Sequence, residues 1–465
     1  VLGFRTVLST SAGLAYAAIS FVGCVQVASY VAGDGAWLAI LIAGVLALLA
    51  AFCFSELNAL YPSAAAIRLY IKEAFNEQVA LIVAFAYTMT VVAVIAADSY
   101  VVGSAITYVF PQTPTLLWIL LLLGGALLAN LWGIRIAGAL QDVTTYALLA
   151  SAIIISAIAI FHGGVALHTP LAGLRNPGGL FTAVATGVFV FSAFEWVTPL
   201  SEEISNHRLI PRGMFLALGL LFVSYALFTL AATHLLTPAQ IQGVANGTIA
   251  PIPQMFIAEK ALGDVGKWWM LVATLFTGVM TFNGGFATAS RFLYAAAREG
   301  TLPPVFARLN RFTVPWVTIM VLAGSSALIA VVIFALRGAN VLILVGAALE
   351  AMIYTVAGLC VIQLRRRKPQ ELRSFKIPGG LTIPLLTVMV FGVLFVGAVL
   401  PGLGGTTGAL VYAVPGVTVA IFALTTLYVF TVVPRLKAQL AAQRATRRRR
   451  PVAAATPNPS DKTED

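Results

Sequence analysis

The chain has 465 residues, of which 60% are hydrophobic and only 10% charged, with a formal net charge of +11. Soluble domains carry about a quarter charged residues, so this composition excludes an ordinary soluble protein and points to a polytopic membrane protein. A basic excess can also mark a nucleic-acid binder, so its distribution along the chain decides.

A membrane span takes about 20 mostly apolar residues. Twelve stretches meet that length: 9–32, 37–60, 79–109, 116–134, 141–163, 180–200, 212–236, 266–297, 315–336, 341–364, 381–401 and 406–433. They lack the alternation of barrel strands. Backbone groups in lipid must pair within the chain, so all twelve are predicted to be helices. With the N-terminus inside, every Lys and Arg falls on the inner side except Arg175, Lys260, Lys267 and Arg337. That bias sets topology, places both termini in the cytoplasm and leaves no case for nucleic acid. Residues 1–433 form one predicted membrane domain. The polar tail 434–465, with RRRR and PNPSDKTED, is expected to be disordered. Its arginines anchor topology or touch anionic lipid.

In chain order, the first span holds AGLAYAAISFVGC, Ala12–Cys24. It can be laid beside TGVFVFSAFEW in the sixth, pairing Gly13 with Gly187. The match hints at inverted halves, helices 1–5 and 6–10. Glu56 ends the second span, and Asp98 stands inside the third, in AADSY. The sixth contains FVFSAFEW, Phe189–Trp196, with Glu195 in an apolar run. A charge at the bilayer centre costs about 3 kcal/mol and faces a cavity or a partner. Ser192 and Ala193 are small and flank Phe191 and Phe194, which fits a discontinuous helix. Its freed N–H groups would suit a carboxylate and its freed carbonyls an ammonium. The structural alternative is that Glu195 pairs with a buried Arg or an unwound backbone.

Further on, the outer loop 237–265 carries PIPQMFIAEKALG, a predicted surface helix that could serve as a lid. Arg291 follows Ser290 in the eighth span and could pair with Glu56, Glu202 or Glu203. Glu350 lies inside the tenth span, in AALEAMIY. Asp98 and Glu350 either join Glu195 in a proton relay or cation site, or are hydrated near span ends. Cys24, Cys53 and Cys360 are scattered and are expected to be packing residues. The four histidines lack metal spacing. There is no Walker motif, dinucleotide loop or HExxH, so neither a cofactor, a metal nor enzyme activity is expected.

Five stretches stand in order at consistent membrane faces. They are Ile42–Asn76 (with Tyr61-Pro62-Ser63 after Glu56), Ser192–Met214, Thr281–Pro303, Asn310–Trp316 and Leu364–Gly380. Together they resemble the amino acid–polyamine–organocation (APC) superfamily of permeases. The resemblance implies an all-α integral membrane fold of twelve transmembrane helices. These would form a five-plus-five inverted repeat (LeuT-like) with discontinuous helices 1 and 6, plus helices 11 and 12. It implies that Ile19, Ser20 and Phe21, with Ser192 and Ala193, meet substrate, and that Phe189 is an aromatic gate. Phe21, Phe189 and Phe194 would wall a narrow site, and Glu195 would couple it to the gate. Arg291 would either pair with Glu56, Glu202 or Glu203 as the inner gate closes, or be a static positive-inside anchor. The family's helix 1 break is usually glycine-rich. Here the gap-free placement gives Ile19-Ser20-Phe21, with Gly23 the nearest glycine, so the break is expected there or at Val22-Gly23-Cys24. The double glycine common after helix 2 is Ala65-Ala66.

The function implied is a secondary active permease of the cytoplasmic membrane, moving amino acids by alternating access. Its partners would be an amino acid or related amine, membrane lipid and protons. Helix 5 has no lysine to stand in for a sodium ion. That leaves exchange or carboxylate-based proton coupling ahead of sodium coupling. Two alternatives stay open: a polyamine or cationic amine transporter, and a non-transporting amino acid sensor on the same fold.

Overall fold

The computed structural model describes residues 3–31, 35–63, 65–133, 138–162, 171, 176–204, 206, 208–404 and 408–449. Among them every regular element is helical. The chain opens with α1 (Phe4–Ala15) and α2 (Ala18–Tyr30), two halves of one span bent by 53°. Next come α3 (Ala36–Leu60), the short α4 (Ala66–Ala74) and α5 (Glu77–Val109). The Asn76 side chain caps α5 by accepting from the Val79 N–H at 2.9 Å. Two apolar helices follow, α6 (Thr115–Leu131) and α7 (Gly138–His162).

The second broken span is α8 (Pro177–Val190) followed by a 3₁₀ helix, Phe194–Glu203. Then come α9 (Leu209–Leu235), α10 (Pro238–Ala245) and the 46-residue α11 (Pro253–Arg298). Gly263 leaves helical geometry at φ 60°, so the first part of α11 is the surface helix foreseen in the outer loop, and the rest is the span. The remaining helices are α12 (Trp316–Leu336), α13 (Ala339–Arg367), α14 (Thr382–Val399), α15 (Leu410–Thr431) and α16 (Val433–Arg449).

Ten of these are long and apolar enough to cross a membrane; the bent α1–α2 pair makes eleven, and α6 is a shorter apolar helix of 17 residues. Most are apolar all round, as helices in lipid are. Small residues let them approach closely. A Cβ on Gly358 would stand 3.0 Å from the Pro384 carbonyl oxygen, which is how tightly α13 meets α14. Burial separates the helices by role. The Pro177–Ser201 span is 83% buried, while α12 and α14 are each 33% buried and Leu410–Ala442 only 17%. The outer helices therefore face lipid and screen the broken spans.

Two expectations are corrected here. The first span breaks at Tyr16-Ala17, not at Ile19-Ser20-Phe21 or Val22-Gly23-Cys24, which are helical within α2. The first part of the tail, to Arg449, is the helix α16 and not a disordered segment, and residues 450–465 lie outside the described residues. Lys437 anchors it, its ammonium 2.5 Å from Glu77 Oε2.

One end of the bundle carries most of the charge. At its centre Glu56, 2% exposed, accepts from Arg365 Nε at 2.8 Å and Nη2 at 2.5 Å, and from the Ile377 N–H at 2.9 Å. Arg373 Nε lies 3.3 Å away. The partners of Glu56 are therefore Arg365 and Arg373, whereas the sequence had suggested Arg291. Nearby Arg68 pairs with Glu299, and Lys368 with Glu73 at 2.9 Å. Hydrogen bonds to the Tyr61 hydroxyl and to Glu73 raise the Lys368 ammonium above its usual range.

Candidate functional site

The two broken spans cross in the buried centre. At the first break Tyr16 adopts φ −92°, ψ 52° and Ala17 an extended φ −78°, ψ 150°. A break frees backbone groups that must find partners. The Ala15 carbonyl accepts from the Tyr225 hydroxyl at 2.8 Å and the Ser20 hydroxyl at 3.4 Å. The Ile19 N–H donates to Asp98 Oδ1 at 2.8 Å. Asp98 thus caps the start of α2 from α5. Tyr16 stacks on Tyr225 with centroids 5.4 Å apart, and Phe21 packs against Phe228 at 4.6 Å.

At the second break α8 ends in a tight turn, with the Phe191 N–H on the Val188 carbonyl at 3.2 Å and the Ser192 N–H on that of Phe189 at 3.1 Å. Ala193 then takes the left-handed φ of 73°. That conformation costs an L-residue about 1–2 kcal/mol. Pro199 keeps the next segment from becoming an α-helix, because it lacks an N–H and its ring clashes one turn back. The Ser11 hydroxyl of α1 ties the segment down, donating to the Phe194 carbonyl at 2.6 Å.

Glu195 follows at once and is 2% exposed. Its carboxylate accepts from the Tyr87 hydroxyl of α5 and, at 3.3 Å, from the Tyr354 hydroxyl of α13. Glu350, one turn before Tyr354, lies within electrostatic reach of Glu195, and its Oε2 has no hydrogen-bond partner. Two negative charges in a water-poor interior repel strongly. A proton or a bound ammonium relieves that repulsion.

Two cavities flank this cluster. The larger, with about 930 Å³ of empty space counting its mouth, is lined by Glu195, Tyr87, Thr198 and Arg291, and by Ala65 and Ala66 at the charged end. The smaller, about 350 Å³, is lined by Ser192, Ala193, Glu350 and Thr281. Val91 and Trp196 line both, so the Trp196 indole stands in the wall between them.

The predicted residues thus fall into separate groups. Ser192, Ala193 and Glu350 share the smaller cavity, and Glu195 and Arg291 share the larger. Ile19, Ser20 and Phe21 close the first break with Asp98 and the two tyrosines. Phe189 is wedged between α2 and α13: a Cβ on Gly346 would lie 2.6 Å from its ring, and one on Gly23 3.7 Å. Phe194 packs on Tyr354 at 5.8 Å. Glu56 belongs to the ionic cluster at the charged end. The side chain of Glu203, like that of Glu202, lies outside the described residues.

Sequence reasoning missed Tyr87, Tyr354, Trp196 and Tyr225. A signal existed for Tyr354, four residues after Glu350 and hence on the same helix face. The others are aromatic residues in aromatic-rich helices, and nothing local marks them.

Comparison with known proteins follows the same line. A family model described as amino acid permease matches residues 2–431. Large neutral amino acids transporter small subunit 2 of Rattus norvegicus is 26% identical over 290 residues, 58% of this chain and 52% of that protein. Asc-type amino acid transporter 1 of Homo sapiens is 27% identical over 221 residues, 47% of this chain and 40% of that one. A polyamine transporter of Arabidopsis thaliana is 28% identical over 195 residues, 40% of this chain and 36% of its own length. The chain thus spans about half, or less, of these relatives. Among solved structures, a manganese transporter of Eremococcus coleocola aligns with TM-score 0.61 over 93% of this chain and 95% of its own, at 15% identity. That likeness is one of fold.

Proposed function

The chain belongs to the amino acid permease family, and from that premise we propose that it is a secondary transporter of amino acids or related amines working by alternating access. Curated relatives named as amino acid and polyamine transporters support this class of solute. In this reading α6 is the twelfth span, since 17 residues suffice for a thin crossing. The broken spans are then the first and sixth, the corresponding members of two inverted five-helix halves. The charged end faces the cytoplasm, with both termini, and the larger cavity is the inner vestibule.

The observation that carries the proposal is Glu195. It stands at the second break, held by two tyrosine hydroxyls, beside Glu350 and at the wall of the vestibule. A carboxylate there can take a substrate ammonium or a proton in turn. That exchange couples solute movement to protons, or lets one amine replace another, and it calls on no cofactor. Trp196 is the door between break and vestibule, and Arg291 lines the vestibule.

The test is uptake and counterflow of radiolabelled amino acids and amines in proteoliposomes. Wild type should accumulate one class of solute. Glu195→Gln keeps the shape, loses the charge and should reduce flux by about 10- to 100-fold, the worth of a charge-assisted contact. Wild-type flux in the mutant would overturn the role given to Glu195. Binding without flux in the wild type would replace the transporter by a sensor on this fold.

A further inference from the structure

The start of α2 is the place in this fold where freed N–H groups face the centre of the bundle, and an anion is favoured there. In this chain the position is taken. Asp98 Oδ1 accepts the Ile19 N–H at 2.8 Å, and the residue is fully buried. Its other oxygen, Oδ2, has no hydrogen-bond partner. Thr281 stands beside this carboxylate and also lines the smaller cavity, so that cavity ends next to Asp98. The carbonyl side of the same break is closed as well, by Tyr225 and Ser20 on Ala15.

A second observation concerns charge. Among the described residues the buried charged groups are Glu56, Arg68, Asp98, Glu195 and Glu350. Arg68 and Glu56 are engaged at the charged end. Asp98, Glu195 and Glu350 therefore surround the two breaks with no buried basic residue among them. A zwitterion would bring a fourth carboxylate into this set. An amine brings only the missing positive charge.

We infer that Asp98 occupies the carboxylate subsite from within the protein, so that the transported solute is an amine lacking a carboxylate: a monoamine, a diamine or a longer polyamine. The inference rests on the transporter reading above and narrows its substrate class. The ammonium is received at the smaller cavity, whose lining includes the unpartnered Glu350 Oε2, with Asp98 reached behind Thr281. One chain thus carries internally what an amino acid would otherwise have to supply.

The experiment uses matched pairs that differ only in the carboxylate: agmatine and arginine, putrescine and ornithine, phenethylamine and phenylalanine. Binding is measured by thermal stabilisation of the full chain in detergent, and flux in proteoliposomes. At least one amine should bind about tenfold or more tightly than its amino acid partner, and only the amine should be accumulated. Tighter binding of any amino acid than of its amine overturns the inference and leaves the transporter reading intact. Amine binding without flux supports the inference and sinks the transporter reading. No binding in any pair overturns both.

Two variants sharpen the result. Asp98→Ala vacates the subsite and should admit the amino acid of the preferred pair. Asp98→Asn keeps an acceptor for Ile19 and guards against a misfolded Ala variant. It should weaken amine binding while amino acids stay excluded. Unchanged amine binding in Asp98→Asn overturns the part given to its charge.

Discussion

The two helix breaks are made of different material. The first, at Tyr16-Ala17, is closed by side chains from elsewhere: Asp98 takes its N–H group, and Tyr225 and Ser20 take its carbonyl. The second, at Phe191–Ala193, is closed mainly by its own tight turn and opens on carboxylates and two cavities. The backbone groups freed at the first break are therefore satisfied within the fold, with Asp98 Oδ2 left over, while the second keeps acceptors in reserve. The difference teaches that unwinding a helix does not by itself create a binding site. What counts is which freed groups the protein leaves unpaid.

That contrast predicts that damage to the carboxylates around the breaks is functional, while loss of the hydroxyls that close the first break is structural. The largest effect is expected from Glu350→Gln, which removes an unpartnered acceptor beside Glu195. Amine flux in proteoliposomes should fall about 10- to 100-fold, with the unfolding temperature unchanged or raised. A flux equal to wild type would move the substrate away from the second break. Gly346→Ala should come next. Its Cβ would press on the Phe189 ring, which stands just before the second break and also lies against α2 at Gly23. Overpacking of this kind costs about 1–3 kcal/mol. It should lower both thermal stability and flux, and an effect on stability alone would uncouple Phe189 from gating. The smallest effect belongs to Tyr225→Phe, which deletes the hydroxyl on the Ala15 carbonyl. Thermal unfolding should register a loss of about 1 kcal/mol, with substrate preference unaltered. A changed preference would mean that the carbonyl side of the first break also touches substrate.

Much of the architecture was legible in the sequence because a span announces itself by a long apolar run. The positions of α3, α5, α9 and α13 agree with the predicted spans within a few residues. The buried, partnered setting of Glu195 was legible for a related reason, since a lone acid in such a run is costly. The break in the first span was not legible. Without a glycine, nothing local marks Tyr16-Ala17, and the unwinding is stabilised by Asp98 and Tyr225, residues 79 and 210 positions away from their partners. The same holds for Glu56. Its acid was visible, but Arg365 and Arg373 are brought to it only by the packing of α3 against α13 and the loop beyond. Polar partners across the bundle are a property of the assembled fold and leave no periodic trace.

The Glu56 cluster also bears on how the protein is made. Its carboxylate and its principal partner, Arg365, are 309 residues apart. A ribosome adding about 5–20 residues per second separates their emergence by about 15–60 s. For that interval a carboxylate destined for burial lacks its principal partner. The Glu56 site must stay open to water until α13 and the loop after it arrive with Arg365 and then Arg373. Biosynthesis therefore completes the Glu56 cluster late, and a chain halted before Arg365 would leave that acid without its principal partners.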